Sequence, residues 1–418
     1  MGAVHDKRFE PLRTAFQAIL SGHEGTSIRQ AGAVTGGASL CVVVNGTVVL
    51  DLWAGDAGSA ASSTSPATTA WQNGTAAYLF SATKGLAAVV VAVLAEQGHL
   101  DFDDPVRVYW PEFGAAGKAD ITIAQVMAHS AGLSALDRYP KLTPLQWATS
   151  AGEHLSKMHP VWLPGHKVGY SPWAVGTFVA ELVPRADPKG RDVATFFEEE
   201  VATPLGVQRF MQLGRRKRND TMHVARFRYA TISTWIPALW RIPHAIRHAT
   251  VPWSLSWRAF ANPHGNPLDF NTREYQEANL PNTNGFATAR ALATLYGNLV
   301  SMKTGTVAPL LSSKTMQRAA LTTHAQGFDQ VMRVRTAFGV GFVRCSEYFP
   351  MGFMDPTGGG NCSHVFGHPG FGGAIAWADA RTGIAAAFLT SVLDPAASAR
   401  SVRFETLKSA FSNVLQSL

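Results

Sequence analysis

A serine hydroxyl is a poor nucleophile until a neighbouring base takes its proton, and the stretch Tyr78-Leu79-Phe80-Ser81-Ala82-Thr83-Lys84-Gly85-Leu86 offers such a pair. Ser81 and Lys84 form the only S-x-x-K of the chain, a spacing that on a helix sets both side chains on one face. From Lys84 to Gln97 the chain is an almost unbroken run of Ala, Val and Leu that stops at Gly98, which predicts a helix opening near Ser81. A helix N-terminus carries partial positive charge and unpaired N–H groups, both suited to an oxyanion. The implied chemistry is attack on a carbonyl by Ser81, with Lys84 carrying the proton.

The elements that must hold this pair can be read around it. Lys7 to Leu20 has apolar residues at helical spacing, and Ala38 to Trp53, with Asn45-Gly46 between two Val-rich runs, predicts a hairpin with a two-residue turn. Ala60 to Thr69 reads as a surface loop. Helical patterns dominate from Ser81 to about Leu205, broken at Pro105, Pro140 and Pro164-Gly165, whereas Gly206 to Pro281 is irregular, basic and aromatic. Ala287 to Val300 is an amphipathic helix. Gly373 to Asp379 and Ile384 to Leu393 flank Ala380-Arg381-Thr382-Gly383 as a second hairpin, and Ala396 to Leu418 is a final helix. Strands at both ends with helices between them predict an α/β fold, an antiparallel sheet assembled from both termini and carrying a mainly helical insert.

Composition narrows the classes. With 418 residues and 46% hydrophobic residues the chain can bury a large core as one catalytic unit, its α/β part at about 1–80 and 285–418 and its helical part at about 81–284. Cys41, Cys345 and Cys362 are odd in number with no C-x-x-C, so no disulfide framework and a reducing compartment are expected. Met1 to Glu10 is polar and charged, without the apolar core of a secretory signal, and the apolar run Leu86 to Leu94 is far short of the roughly 20 residues that span a bilayer. A cytoplasmic location follows as the expectation. The net charge of +7 gathers at Arg215, Arg216, Lys217 and Arg218 and continues through Arg226, Arg228, Arg241, Arg247 and Arg258, with Asp220 the only acid between Arg215 and Arg258. This reads as a solvated basic loop, since no nucleic-acid motif accompanies it, with a nucleic-acid or anionic-membrane patch as the alternative. P-loop, dinucleotide-binding, H-E-x-x-H and G-x-S-x-G patterns are absent, and His364 and His368, four apart in an irregular stretch, have no third ligand pattern. Neither a metal nor a cofactor is expected.

The segment F-S-A-T-K-G-L at Phe80 to Leu86, G-H-L-D-F-D-D-P-V ending at Val106, Y-W-P-E-F at Tyr109 to Phe113 and H-S-A-G-L at His129 to Leu133 together resemble the serine β-lactamase-related superfamily, most closely the class C-like family VIII carboxylesterases. The likeness runs from about Gly37 to Leu393 through W-L-P-G at Trp162 to Gly165, T-P-L-G at Thr203 to Gly206, N-G-F-A-T-A-R-A-L-A at Asn284 to Ala293 and G-H-P-G-F-G-G at Gly367 to Gly373. It implies a β-lactamase/DD-peptidase-like fold and a small ester or acyl substrate. It also implies Tyr170 as a second proton-transfer group, whose phenolate a nearby Lys84 would favour. Pro172 stands where β-lactamases and penicillin-binding proteins carry Asn, and it lacks the side-chain amide that binds the lysine and a substrate amide, which favours an esterase over a β-lactamase or transpeptidase. His368-Pro369-Gly370 occupies the K-T-G position. There His368 is a candidate substrate contact, Gly370 lets substrate approach, and the N–H of Phe371 joins that of Ser81 as the expected oxyanion hole.

Tyr296-Gly297-Asn298 and Lys303-Thr304-Gly305 match Y-x-N and K-T-G literally, but they lie in the late amphipathic helix and the loop after it, and read as coincidences. The segment 215–270 is expected either to cover the acyl pocket with some of Trp235, Trp240, Trp253, Trp257 and Phe260 or to pack the insert onto the body. The combined expectation is a serine carboxylesterase acting through an acyl-enzyme. The alternatives are an acyltransferase on the same machinery, a β-lactamase or D-amino-acid peptidase, and a catalytically idle scaffold.

Overall fold

The computed structural model describes residues 2–21, 36–58, 69–135, 142–215, 221–229, 248–261, 267–302, 307–355, 357, 359–394 and 401–417. Its largest element is a nine-stranded antiparallel sheet whose centre is made where the two ends of the chain meet. The strands are β1 (Ala3–Val4), β2 (Ala38–Val44), β3 (Thr47–Ala54), β4 (Ala325–Phe328), β5 (Arg335–Phe338), β6 (Val343–Arg344), β7 (Val365–Pro369), β8 (Ile375–Asp379) and β9 (Ile384–Thr390). They run in the order β1-β3-β2-β9-β8-β7-β6-β5-β4. The seam is β2 against β9, with Cys41 opposite Ala387 and Val44 opposite Ile384.

Alternation along the strands sends two sets of apolar side chains to opposite faces. Leu40, Val42, Ala386 and Phe388 pack with α1 (Glu10–Ser21) and α4 (Val402–Leu415), while Cys41, Val43, Ala385 and Ala387 pack with α2 (Thr83–Glu96) and α3 (Ala289–Val300). Both predicted hairpins form, and the first turns at Asn45 and Gly46 with φ of 47° and 78°, the left-handed pair that a two-residue hairpin requires. Every residue of α2 from Thr83 to Leu94 is buried, which is why its sequence is apolar all round rather than amphipathic.

The predicted loop 60–69 falls almost wholly outside the described residues, as do Lys303 to Gly305, Trp235 and Trp240. One expectation fails outright. Cys345 and Cys362 form a disulfide with Cα atoms 5.8 Å apart, and only Cys41 is a free, buried thiol. The odd cysteine count concealed a pair, because two partners 17 residues apart carry no local motif. With a disulfide present, the cysteines no longer point to a reducing compartment. Among the described residues no helix is long and apolar enough to cross a membrane.

Candidate active site

Ser81 sits in a short 3-10 turn, Phe80–Ala82, that leads directly into α2. Phe80 enters that turn with φ of 46°, a left-handed conformation uncommon for a bulky residue. It is held by an aromatic cluster: its ring centroid lies 4.7 Å from Tyr78, 5.0 Å from Phe227 and 5.7 Å from Phe371. A strand at Gly285–Ala287 fixes the same turn from the side, since Leu79 donates to the Gly285 carbonyl and the Gly285 N–H donates to Thr83 Oγ1 at 2.8 Å. Ser81 is thus placed by backbone hydrogen bonds and aromatic packing around its turn, yet it is only partly buried.

Lys84, in the first turn of α2, is fully buried. Its Nζ lies 3.3 Å from Ser81 Oγ and donates to the Asn282 carbonyl at 3.0 Å. Burial without a carboxylate partner pulls the amine from its ordinary 10.5 down to about 7. Near neutral pH Lys84 can therefore carry a lone pair. Asn282 was not found by sequence reasoning. Its contribution to Lys84 is a main-chain oxygen, while its side chain donates to the Pro172 carbonyl at 3.3 Å, so the residue facing Pro172 supplies the lysine contact that a proline side chain cannot.

Tyr170 stacks near the same amine, its ring centroid 5.3 Å from Lys84 Nζ. Its hydroxyl is buried and completes no hydrogen bond, although the Ser81 hydroxyl is near enough to ease its ionisation. Burial outweighs that help, and the buried Asp329 carboxyl acts in the same direction, so the phenol is pushed above its ordinary value. The expected phenolate is overturned for this reason. Lysine would promote it only as a cation, and desolvation discourages both charges. Asp329 is another residue that sequence reasoning missed. Both its oxygens accept from the Tyr170 N–H, at 3.1 and 2.9 Å, and it also caps the N–H groups of Val331 and Met332.

His368 lies at the end of β7, fully buried, with its ring centroid 6.4 Å from that of Tyr170. Its Nδ1 is 2.8 Å from the Pro369 carbonyl, which can only accept, so the proton resides on Nδ1 and the partnerless Nε2 offers a lone pair. Burial and the nearby Lys84 hold the imidazole at about 3. The His129 ring lies tilted against Tyr170 at 4.8 Å and accepts from the Ser171 N–H at 3.0 Å.

Gly370 is required by close approach, since a Cβ there would come within 2.2 Å of the Leu79 carbonyl. That contact sets Phe371 beside the serine turn, and among the described residues the backbone N–H groups of Ser81 and Phe371 donate to no backbone carbonyl. Tyr296 is buried in α3 beneath Gly85, stacked near Phe366, and lies on the packing side of α2. Of the expected cover, Trp253 and Phe260 face water, whereas Phe227 and Phe270 of the same segment join the cluster around Phe80. Among the described residues no cluster of His, Cys, Asp or Glu could hold a metal. A cavity of about 290 Å³ lined by Phe197, Gln208, Arg209 and Leu213 does not touch these residues, so the site rests on side-chain geometry and not on cavity size.

Known proteins were compared with this arrangement. The family model described as Beta-lactamase matches residues 26–410. The Mycobacterium tuberculosis protein "Esterase/beta-lactamase LipL" is 30% identical over 386 residues, covering 92% of this chain and 81% of that protein. A solved family VIII carboxylesterase is similar at a TM-score of 0.79 and 25% identity over 98% of both chains. EstA from Arthrobacter nitroguajacolicus Rue61a is similar at 0.79 and 26% over 100% of this chain and 99% of that one. A penicillin-binding protein homologue from Caulobacter crescentus is similar at 0.73 and 28%, again over 98% of both. A fold built around a buried lysine beside a helix-entry serine, matched over nearly its whole length, places this chain in the Beta-lactamase family as a serine hydrolase.

Proposed function

We propose that the protein is a carboxylesterase that works through an acyl-enzyme on Ser81. The observation that carries this reading is the buried Lys84 amine, 3.3 Å from Ser81 Oγ and brought to about 7. A neutral amine has two N–H bonds and one lone pair. The Asn282 carbonyl can take only an N–H, which leaves the lone pair for the serine proton. Ser81 Oγ then attacks the ester carbonyl as Lys84 takes its proton, and the oxyanion accepts hydrogen bonds from the Ser81 and Phe371 N–H groups. When the C–O bond breaks, the leaving alkoxide takes the Tyr170 hydroxyl proton, which the Lys84 ammonium replaces. Water repeats the sequence in reverse roles and frees the acid.

Two features support an ester over a β-lactam. Pro172 supplies no side-chain donor for a substrate amide. His368 offers only an acceptor, so nothing at the K-T-G position pairs with the carboxylate that a β-lactam carries.

A fluorophosphonate should label Ser81, as read by peptide mass spectrometry, and Ser81→Ala should lose at least about a thousandfold in ester turnover. Short-chain aryl esters should be cleaved much faster than cephalosporins. Cephalosporin hydrolysis matching the best ester would replace this reading with a β-lactamase. Labelling without ester hydrolysis, but with product formed on an added alcohol, would replace it with an acyltransferase.

A further inference from the structure

Three surface segments meet at the turn between β4 and β5, and each leaves an apolar side chain in water. The Gln330 N–H donates to the Val168 carbonyl at 2.9 Å, tying in the loop that carries Leu163, 66% exposed, and the exposed Lys167. Ser256 Oγ donates to the Val331 carbonyl at 2.7 Å, tying in the segment 248–260, which presents Val251, Phe260 and Trp253, the last 75% exposed. The turn itself presents Phe328, 47% exposed, with the Arg333 guanidinium 4.8 Å from its ring.

Two of these residues are held in the left-handed region, Trp253 at φ of 68° and Arg333 at 58°. For a tryptophan that conformation is strained, and keeping its ring in water forgoes burial as well. Single exposed apolar residues are ordinary, but a concentration of them around one turn marks an interaction surface. The charge these segments present has one sign. The three segments carry Lys167, Arg258 and Arg333 at or near the surface, and the one carboxylate among them, Asp329, is buried.

We propose that this surface docks the protein onto an anionic lipid bilayer. Tryptophan settles at headgroup depth, aliphatic and phenyl groups enter the acyl boundary, and lysine and arginine meet the phosphates, so each exposed group here has a counterpart in such an interface. The same turn holds the Tyr170 N–H through Asp329, so docking brings the acylation centre close to the lipid phase. The inference concerns adsorption and does not depend on which acyl bond is cleaved.

Vesicle flotation of the full chain tests it, with phosphatidylcholine alone and with added phosphatidylglycerol. The native protein should float with the anionic vesicles, and raised salt should release it. Trp253→Asn, a residue that tolerates positive φ, and Lys167→Glu should each lower partitioning by about fivefold or more, with turnover of a soluble short-chain ester unchanged. Failure of the native chain to float overturns the proposal. So does native-like flotation of both Trp253→Asn and Phe328→Ser. A concentration-dependent dimer in sedimentation that Trp253→Asn abolishes would instead assign the surface to a second copy of the chain.

Discussion

Lys84 and Lys118 are both fully buried, yet their surroundings suit them to different work. Lys118 donates to the carbonyls of Ala115, Ser156 and Met158 at 2.8, 2.9 and 2.6 Å, three acceptors for the three N–H bonds of an ammonium. It fastens the 115–118 loop to the end of the helix Pro144–Lys157. Lys84 meets one carbonyl and one hydroxyl, and the hydroxyl can give as well as accept. Burial of a lysine is therefore not by itself a catalytic signature. The count of obligate acceptors decides whether a lone pair is left for chemistry.

The sharpest way to break this contrast is to remove each amine while keeping its volume. Lys84→Met should cost at least about a thousandfold in kcat/KM, with stability equal to or above that of the native protein, since no charge then needs burying. Lys118→Met should strand three carbonyls and lose roughly 3 kcal/mol by denaturant unfolding, while the folded fraction keeps native turnover. Similar profiles for the two variants would end the distinction.

Next in size is the coupling of Lys84 to Tyr170. Groups that pass one proton fail together, so Lys84→Ala with Tyr170→Phe should be within about fivefold of the worse single variant. Fully additive losses would show two independent roles.

The pH dependence follows from the amine at about 7. The rate kcat/KM should rise with pH through about 7 as Lys84 loses its proton, and then level off. Stability carries the same sign. Between about 7 and 10.5 the unfolded chain holds a proton on Lys84 that the folded chain has released, so the Lys84 contribution to stability rises with pH across that window and is least favourable below it. The stability difference between Lys84→Met and native should be widest below pH 7 and should vanish towards pH 10. A flat difference would place the amine at its ordinary value.

The smallest effect concerns the tyrosine of the literal Y-x-N. A Cβ on Gly85 would sit 2.2 Å from the Tyr296 hydroxyl, so Gly85→Ala should cost about 1–3 kcal/mol in thermal or chemical unfolding. Adding Tyr296→Phe should restore most of it, and Tyr296→Phe alone should keep kcat/KM within about twofold. A large activity loss in that variant would make Tyr296 part of the relay.

Much of this was legible because it is local. The S-x-x-K lies within one helical turn, the Asn45-Gly46 hairpin within one turn type, and the apolar run of α2 announces a buried helix. What stayed hidden depends on partners far along the chain or on groups every residue possesses. The Lys84 acceptor on Asn282 is a main-chain oxygen, and no side-chain pattern reports which carbonyl will be needed. Asp329 reaches the Tyr170 backbone from 159 residues away. The protonation of Tyr170 is not legible in the sequence, because order gives its neighbours but not its burial, and burial raises the phenol.

The central seam of the sheet has a consequence for synthesis. β2 cannot pair with β9 until nearly the whole chain has left the ribosome, and Phe371 is made 290 residues after Ser81. At about 5–20 residues per second, roughly 15–60 s separate Ser81 from the strand end that, in the proposed mechanism, completes its oxyanion site. During that interval β2 and β3 are an open edge with no partner on the β9 side, the kind of surface that recruits other chains. On the proposed mechanism the nascent protein is thus chemically silent, and its open edge is dependent on protection, until its last third arrives.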